Sequence, residues 1–213
     1  SYAEVLSFEL EERGEGREEV EAIRAAADRA AGLARHLLAF ARRDVIIPRD
    51  VNVRDVILGM QLILRRLVPA TVDLSLDLEE TPLIVRVDAG QLEQVVMNLA
   101  INAVDAMPDG GSLVIRSRSG PSTGDGRATV LLDVIDTGSG MSEEVQERLF
   151  EPFFTTKPAG RGTGLGLATS YAIVHEAGGS IEVTSALGRG SSFRVTLPQS
   201  SVDAQEKQRR STP

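Results

Sequence analysis

From Val72 to Leu197 the chain holds six strand-like stretches in three pairs, with helical stretches only between the pairs. The first pair is "TVDLSLDL" and "LIVRV", the second "SLVIRSR" and "ATVLLDVID", the third "SIEVTS" and "SSFRVTL". Each alternates at period two or runs apolar between turn residues, which is the strand signature. Asp88 is placed to cap a long helix through Met107, ended by the turn "PDGG". A short helix from Ser142 and a longer one, "GLGLATSYAIVHEA", stopped by Gly178 and Gly179, lie between the second and third pairs. Strict strand–helix alternation would predict a doubly wound parallel sheet. Grouping in pairs predicts an α+β sandwich, helices packed on one face of a mixed β-sheet.

Upstream, "DVIIPRDVN" reads as a linker, and Asn52 then caps a helix to about Leu67 with Asp55 in its first turn. Residues 1–12 read as helix, broken by Gly14 and Gly16; a second helix runs from Glu18 to Arg43. Its Val20, Ile23, Ala27, Ala30, Ala34, Leu37 and Ala41 form a heptad seam that needs another helix against it. An α-helical hairpin that dimerises is expected there, the pairing weakened or lost in a chain that holds only part of the first helix. Three segments result: a partial hairpin over 1–47, a domain over 48–198, and a polar tail over 199–213 with too little apolar content to fold.

A net charge of −8 argues against nucleic acid as the main partner, so a polyanionic ligand would have to be met locally. The chain has no cysteine, hence no disulfide and no thiolate metal site. It has no apolar run of the roughly 20 residues that span a bilayer.

Four constellations carry chemistry. In "EQVVMNLAINAVDA", Asn98 and Asn102 share a helix face with Asp105 a turn on. Amide oxygens are neutral, hard ligands suited to magnesium; the plainer reading is a solvated polar face. In "DVIDTGSGM" a strand delivers Asp136 to its end, and Gly138 and Gly140 allow a tight turn. A buried carboxylate there would accept from an exocyclic amine and select adenine over guanine; an ordinary turn is the alternative. "LFEPFFTTK" gathers Phe150, Phe153 and Phe154, which fits either local packing or the docking of a mobile segment. In "GRGTGLGLAT", Gly162, Gly164 and Gly166 precede a helix whose amino end favours phosphate. It lacks the G-K-[ST] of a P-loop, and no strand runs directly into it as in a dinucleotide fingerprint.

In this order and spacing, the four resemble the catalytic, ATP-binding half of bacterial sensor histidine kinases. These belong to the superfamily of DNA gyrase, the heat-shock chaperone ATPases and the mismatch-repair ATPases. "NLAINAVDAM", "DTGSGM", "LFEPFFTTK" and "GTGLGLA" match the asparagine, first glycine, phenylalanine and second glycine boxes, and "GRGSSFRVTLP" the closing strand. The resemblance covers roughly residues 1–198 and implies a Bergerat-type ATP-binding sandwich after a dimerisation hairpin. It implies ATP and Mg2+ as cofactors, with Asn102 the metal ligand and Asn98 supporting it or the phosphates. Asp136 would take the adenine amine against a wall of Gly138, Gly140 and Met141. Gly162, Thr163, Gly164, Leu165, Gly166 and Leu167 would offer amides to the phosphates. Lys157 and Arg161 would meet the terminal phosphate from a lid anchored by Phe150, Phe153 and Phe154. Ser191 or Ser192 would add a hydroxyl near adenine.

Hydrolases of the superfamily carry a Glu one turn before the metal-binding Asn. Here that position is Asn98, which cannot act as a base, and Glu93 lies on another helix face. Bound ATP is therefore expected to be kept for an external nucleophile. Neither histidine suits the acceptor role. His36 sits in "GLARHLLAF" with no carboxylate within a turn and on the wrong helix, and His175 ends a helix inside the nucleotide domain. The family's acceptor would lie just upstream of Ser1, leaving this chain without a phosphoacceptor and unable to phosphorylate itself. The resemblance implies a cytoplasmic histidine kinase portion, dimeric in its parent and serving a response-regulator receiver domain, with any membrane anchor elsewhere in the parent. Two other readings are a gyrase- or chaperone-type ATPase and a non-catalytic nucleotide-sensing dimerisation module.

Overall fold

The structure, a computed structural model, describes residues 47–122, 126–158 and 162–200. The expected hairpin, His36, Arg161 and the tail from 201 lie outside the described residues. Among the described residues, those of 47–154 and 164–200 make one compact body, and those of Thr155–Thr163 fall outside it.

The body begins with β1 (Arg49–Asn52), then α1 (Val53–Gly59) and α2 (Gln61–Leu67). β2 (Val72–Leu78) and β3 (Ile84–Val87) lead into the long α3 (Ala89–Asp105). β4 (Gly111–Gly120), β5 (Thr129–Asp136), the short α4 (Glu143–Arg148), α5 (Gly166–Glu176), β6 (Ser180–Ser185) and β7 (Ser191–Pro198) follow. Five strands make a mixed sheet in the order β2-β4-β5-β7-β6, with β2 parallel to β4 and the other pairs antiparallel. The α+β expectation holds: the return through α3 lets β2 run parallel to β4, while the short β4–β5 and β6–β7 links give antiparallel hairpins.

Two local expectations needed correcting. The "DVIIPRDVN" linker contains β1, which pairs antiparallel with β3, Val51 opposite Val85. The helix expected from Asn52 to Leu67 breaks at Met60, whose buried side chain turns inward between α1 and α2 so that Ile57 and Leu64 both reach the core. The caps held: Asn52 accepts from the Arg54 N–H, Asp88 from Gln91 and Ser142 from Val145, each satisfying a helix-end donor.

α1, α2, α3 and α5 cover one face of the sheet. Leu92, Val95, Val96 and Leu99 of α3 are buried together with Leu113, Ile115, Leu132, Val134 and Val195 of the strands. Each side chain of that size contributes about 1.5–3 kcal/mol on burial. The opposite face carries charge: Asp77, Arg116, Asp133, Arg194 and Glu182 fall in register across all five strands, alternating in sign. Asp133 at the centre is fully buried between Arg194 (2.7 Å) and Arg118 (3.0 Å).

Candidate functional site

β5 ends at Asp136, which is 5% exposed. Its Oδ1 accepts from the Gly138 N–H at 2.8 Å and the Ser191 N–H at 3.2 Å, while no described group bonds Oδ2. Burial pushes the carboxyl above its usual 3.8, and the two backbone donors pull the other way. A buried carboxylate with one oxygen anchored and one open can accept a single exocyclic amine. Ser191, facing inward and 7% exposed, stands beside it; Ser192 points to the other face of β7. The glycines here are close-approach positions. A Cβ on Gly138 would enter the Ala106 carbonyl, and one on Gly140 (φ +65°) the Ala186 carbonyl. Met141 packs partly buried against the core.

α3 brings Asn98 and Asn102 to one face, with Asp105 exposed at its last residue. Asn98 Nδ2 donates to the Gly166 carbonyl at 3.0 Å and to Ser170 Oγ at 3.2 Å, while the Ser170 hydroxyl itself donates to Gly166 O at 3.0 Å. With the hydroxyl proton spent and a carbonyl able only to accept, this end of the Asn98 amide must be the NH2. The free atom of Asn98 is therefore its oxygen, a metal-type ligand and not a phosphate donor. Ser170, fully buried, was missed by sequence reasoning. The usable signal was its spacing, since it shares the inward stripe of α5 with Ile173 and Val174.

α5 starts at Gly166 with no side chain capping it, which leaves its first-turn N–H groups able to face an anion. Leu165 precedes it and Leu167 packs against the core. Gly164 (φ +66°) and Phe153 (φ 68°) both adopt left-handed backbone, and the Phe153 N–H donates to Gly164 O at 2.9 Å. Of the three phenylalanines, Phe150 packs on Tyr171 (centroids 5.3 Å apart) and Phe154 lies under Arg148 (4.4 Å). Phe153 is 74% exposed, so it tethers through its backbone and not its ring. In Thr155–Thr163, the Lys157 N–H donates to Thr155 Oγ1, and Gly162 sits against both side chains. Thr163 is the last residue of this segment.

Glu93 is exposed on α3, away from the Asn98 face, and His175 is exposed at the end of α5, stacked on Tyr171. An open cavity of about 500 Å³ between α1, α2 and β2, lined by Arg54, Leu58, Arg65, Leu74 and Leu76, contains none of the expected site residues. Ser185 and Gln146, which bond to the loop after Asp136, were also missed. Their partners come from three separate segments, so no local pattern marks them.

Residues 87–201 match the family described as histidine kinase-, DNA gyrase B- and HSP90-like ATPase. The chain is 42% identical over 182 residues to the sensor kinase CckA of Brucella abortus (strain 2308), an alignment covering 81% of this chain and 19% of that one. It therefore spans about a fifth of that relative's length. Among solved structures, the mycobacterial sensor histidine kinase MprB superposes with TM-score 0.60 at 26% identity, covering 72% of this chain and 98% of that one. Full-length ShkA, solved in complex with AMPPNP, superposes with TM-score 0.64 at 26% identity, covering 86% and 39%. The family match, the four boxes and these likenesses converge: the chain belongs to the histidine kinase-, DNA gyrase B- and HSP90-like ATPase family, and its folded body is a catalytic domain of the sensor histidine kinase type.

Proposed function

We propose that this chain binds ATP with Mg2+ and presents the γ-phosphate to a histidine on a dimerisation helix, from which it passes to the aspartate of a response-regulator receiver domain. The observation that carries the phosphotransfer reading is the state of Asn98. It stands where a hydrolase would keep a basic carboxylate, and its amide nitrogen is already bonded to Gly166 and Ser170. Nothing at that position can take a proton from water near pH 7.

In this reading Asp136 Oδ2 accepts the adenine amine, with Gly138, Gly140 and Met141 as the pocket wall. The N–H groups at the start of α5, with Gly162, Thr163, Gly164, Leu165, Gly166 and Leu167, cradle the phosphates. Lys157 and Arg161 approach the terminal phosphate, and Asp105 lies at the rim. Asn102 and the Asn98 oxygen are neutral hard donors that fit magnesium. The described residues contain no cluster of three or more His, Cys, Asp or Glu, so the phosphates and waters would complete the shell. When bound, the metal neutralises charge on the β- and γ-phosphates; this chain's residues orient the nucleotide and withhold a base. Segment 1–47 is assigned to dimerisation, 48–198 to nucleotide binding and 199–213 to a linker. No helix among the described residues is long and apolar enough to cross a membrane, which fits a portion of the parent lying in the cytoplasm.

Calorimetric titration of the full chain with AMPPNP, with and without magnesium, tests the reading. The expected result is magnesium-dependent binding that Asn102→Ala and Asp136→Ala each weaken at least about tenfold, the loss of one charge-assisted hydrogen bond or ligand. A folded wild type that binds no adenine nucleotide would sink it. Rapid multiple-turnover hydrolysis of ATP would favour the ATPase reading instead.

A further inference from the structure

The loop after Asp136 and the β6–β7 turn meet backbone to backbone. A Cβ on Gly140 would collide with the Ala186 carbonyl, and one on Gly190 (φ +76°) with the Asp136 carbonyl. The Gly188 N–H donates to Ser139 O at 2.7 Å. At this junction Ser185, the last residue of β6, places a hydroxyl among three partners. Its Oγ accepts from the Met141 N–H at 2.9 Å, donates to the Gly190 carbonyl at 2.9 Å, and lies 3.0 Å from Ser191 Oγ. A hydroxyl has one proton and a carbonyl only accepts, so Ser191 is the donor between the two serines. The Ser191 N–H in turn holds Asp136 Oδ1. From α4, Gln146 Nε2 bonds the carbonyls of Met141 (3.2 Å), Ser142 (3.4 Å) and Ser185 (3.1 Å), which clamps the same two strands of backbone together.

We propose that Ser185 is a positioning residue of the nucleobase pocket: its hydroxyl, backed by Gln146, sets the spacing between Met141 and Ser191 on either side of Asp136 and thereby the preference for adenine. The inference rests on the reading of Asp136 as the acceptor for adenine. Ser185 does not touch the base. It fixes the orientation of the Ser191 hydroxyl and the Met141 backbone, and with them the direction in which the open oxygen of Asp136 faces. Without the hydroxyl, Met141 N–H and Gly190 C=O lose their shared partner and the glycine loops can drift apart. A purine with an oxygen at its sixth position is then disfavoured less sharply, because Asp136 no longer meets it head-on.

The test measures AMPPNP and GMPPNP affinities of the full chain by competition against a fluorescent adenine nucleotide, for wild type, Ser185→Ala, Ser185→Thr and Gln146→Ala. Ser185→Ala is expected to weaken AMPPNP about tenfold, the scale of one well-placed hydrogen-bond network, with GMPPNP nearly unchanged, so that the adenine preference shrinks by the same factor. Ser185→Thr, which keeps the hydroxyl, should restore the preference. Gln146→Ala should reduce it about threefold, and serves as the deciding variant if Ser185→Ala does not fold. Equal weakening of both nucleotides, or an unchanged preference in both alanine variants, overturns the proposal and leaves the ATP reading standing. A wild type without AMPPNP binding overturns the ATP reading itself, before any variant is compared.

Discussion

Asp136 commits one carboxylate oxygen to two backbone donors and keeps the other open, and burial raises its pKa above 3.8. The folded chain therefore holds this proton more tightly than the unfolded one. The group's contribution to stability is fully present in acid and is lost as pH rises through the raised value. Nucleotide affinity runs the other way, since the adenine amine needs an ionised acceptor. Affinity for AMPPNP is expected to fall as pH drops through the pKa of Asp136, which burial raises from 3.8, and Asp136→Asn should remove that dependence. Thermal unfolding of Asp136→Asn near neutral pH should match or exceed wild type; a marked loss of Tm would contradict the cause assigned to the shift. The place of Asp136 at the end of β5 was legible because two close-approach glycines follow it. Ser185 and Ser170 were not, because a serine in a strand or helix becomes a clasp only when its partners arrive from elsewhere in the chain. Likewise the orientation of the Asn98 amide became readable only through the bonding of Ser170.

At the scale of elements, α3 and α5 are joined by the Asn98–Gly166–Ser170 bonds, which hold the amino-terminal end of α5 against α3. Ser170→Ala leaves a part-buried Asn98 N–H short of an acceptor and is expected to cost about 1–2 kcal/mol in urea unfolding. A cost near zero would mean the remaining Gly166 contact suffices. The open sheet face offers a second test. Asp133 is buried, while its partners Arg118 and Arg194 are each about two-fifths exposed (41% and 42%). Water screens the arginines that Asp133→Ala would strand, so the expected loss is about 1–3 kcal/mol, below that of a fully buried pair. Most elements were legible. Period-two alternation or a short apolar run marked the strands of the five-stranded sheet, and the caps Asn52 and Asp88 marked the starts of α1 and α3. β1 was not legible, because a short strand next to Pro48 has no apolar pattern of its own and exists through its pairing with β3.

For the molecule as a whole, the sandwich rests on α3 against the sheet, and Leu99 at its centre is fully buried. Leu99→Ala is expected to destabilise the chain by about 2–5 kcal/mol, read as a shift of the urea midpoint without change in slope. On the proposed function, the Asn at position 98 predicts slow release of phosphate from bound ATP, to be measured as steady-state turnover of the full chain. The sequence by itself determined the family, the α+β class, the boxes and their order, because these rest on local periodicity and on glycines that a close ligand or turn demands. Only the tertiary structure decided which atoms face the site: the open oxygen of Asp136, the oxygen end of Asn98, Ser191 in place of Ser192, and the hydroxyl of Ser185. A hydrogen bond's direction is set by what the neighbouring groups have already given or taken, and the bonds that bring these groups together span tens of residues, as between Asn98 and Gly166, Asp136 and Ser191, and Met141 and Ser185.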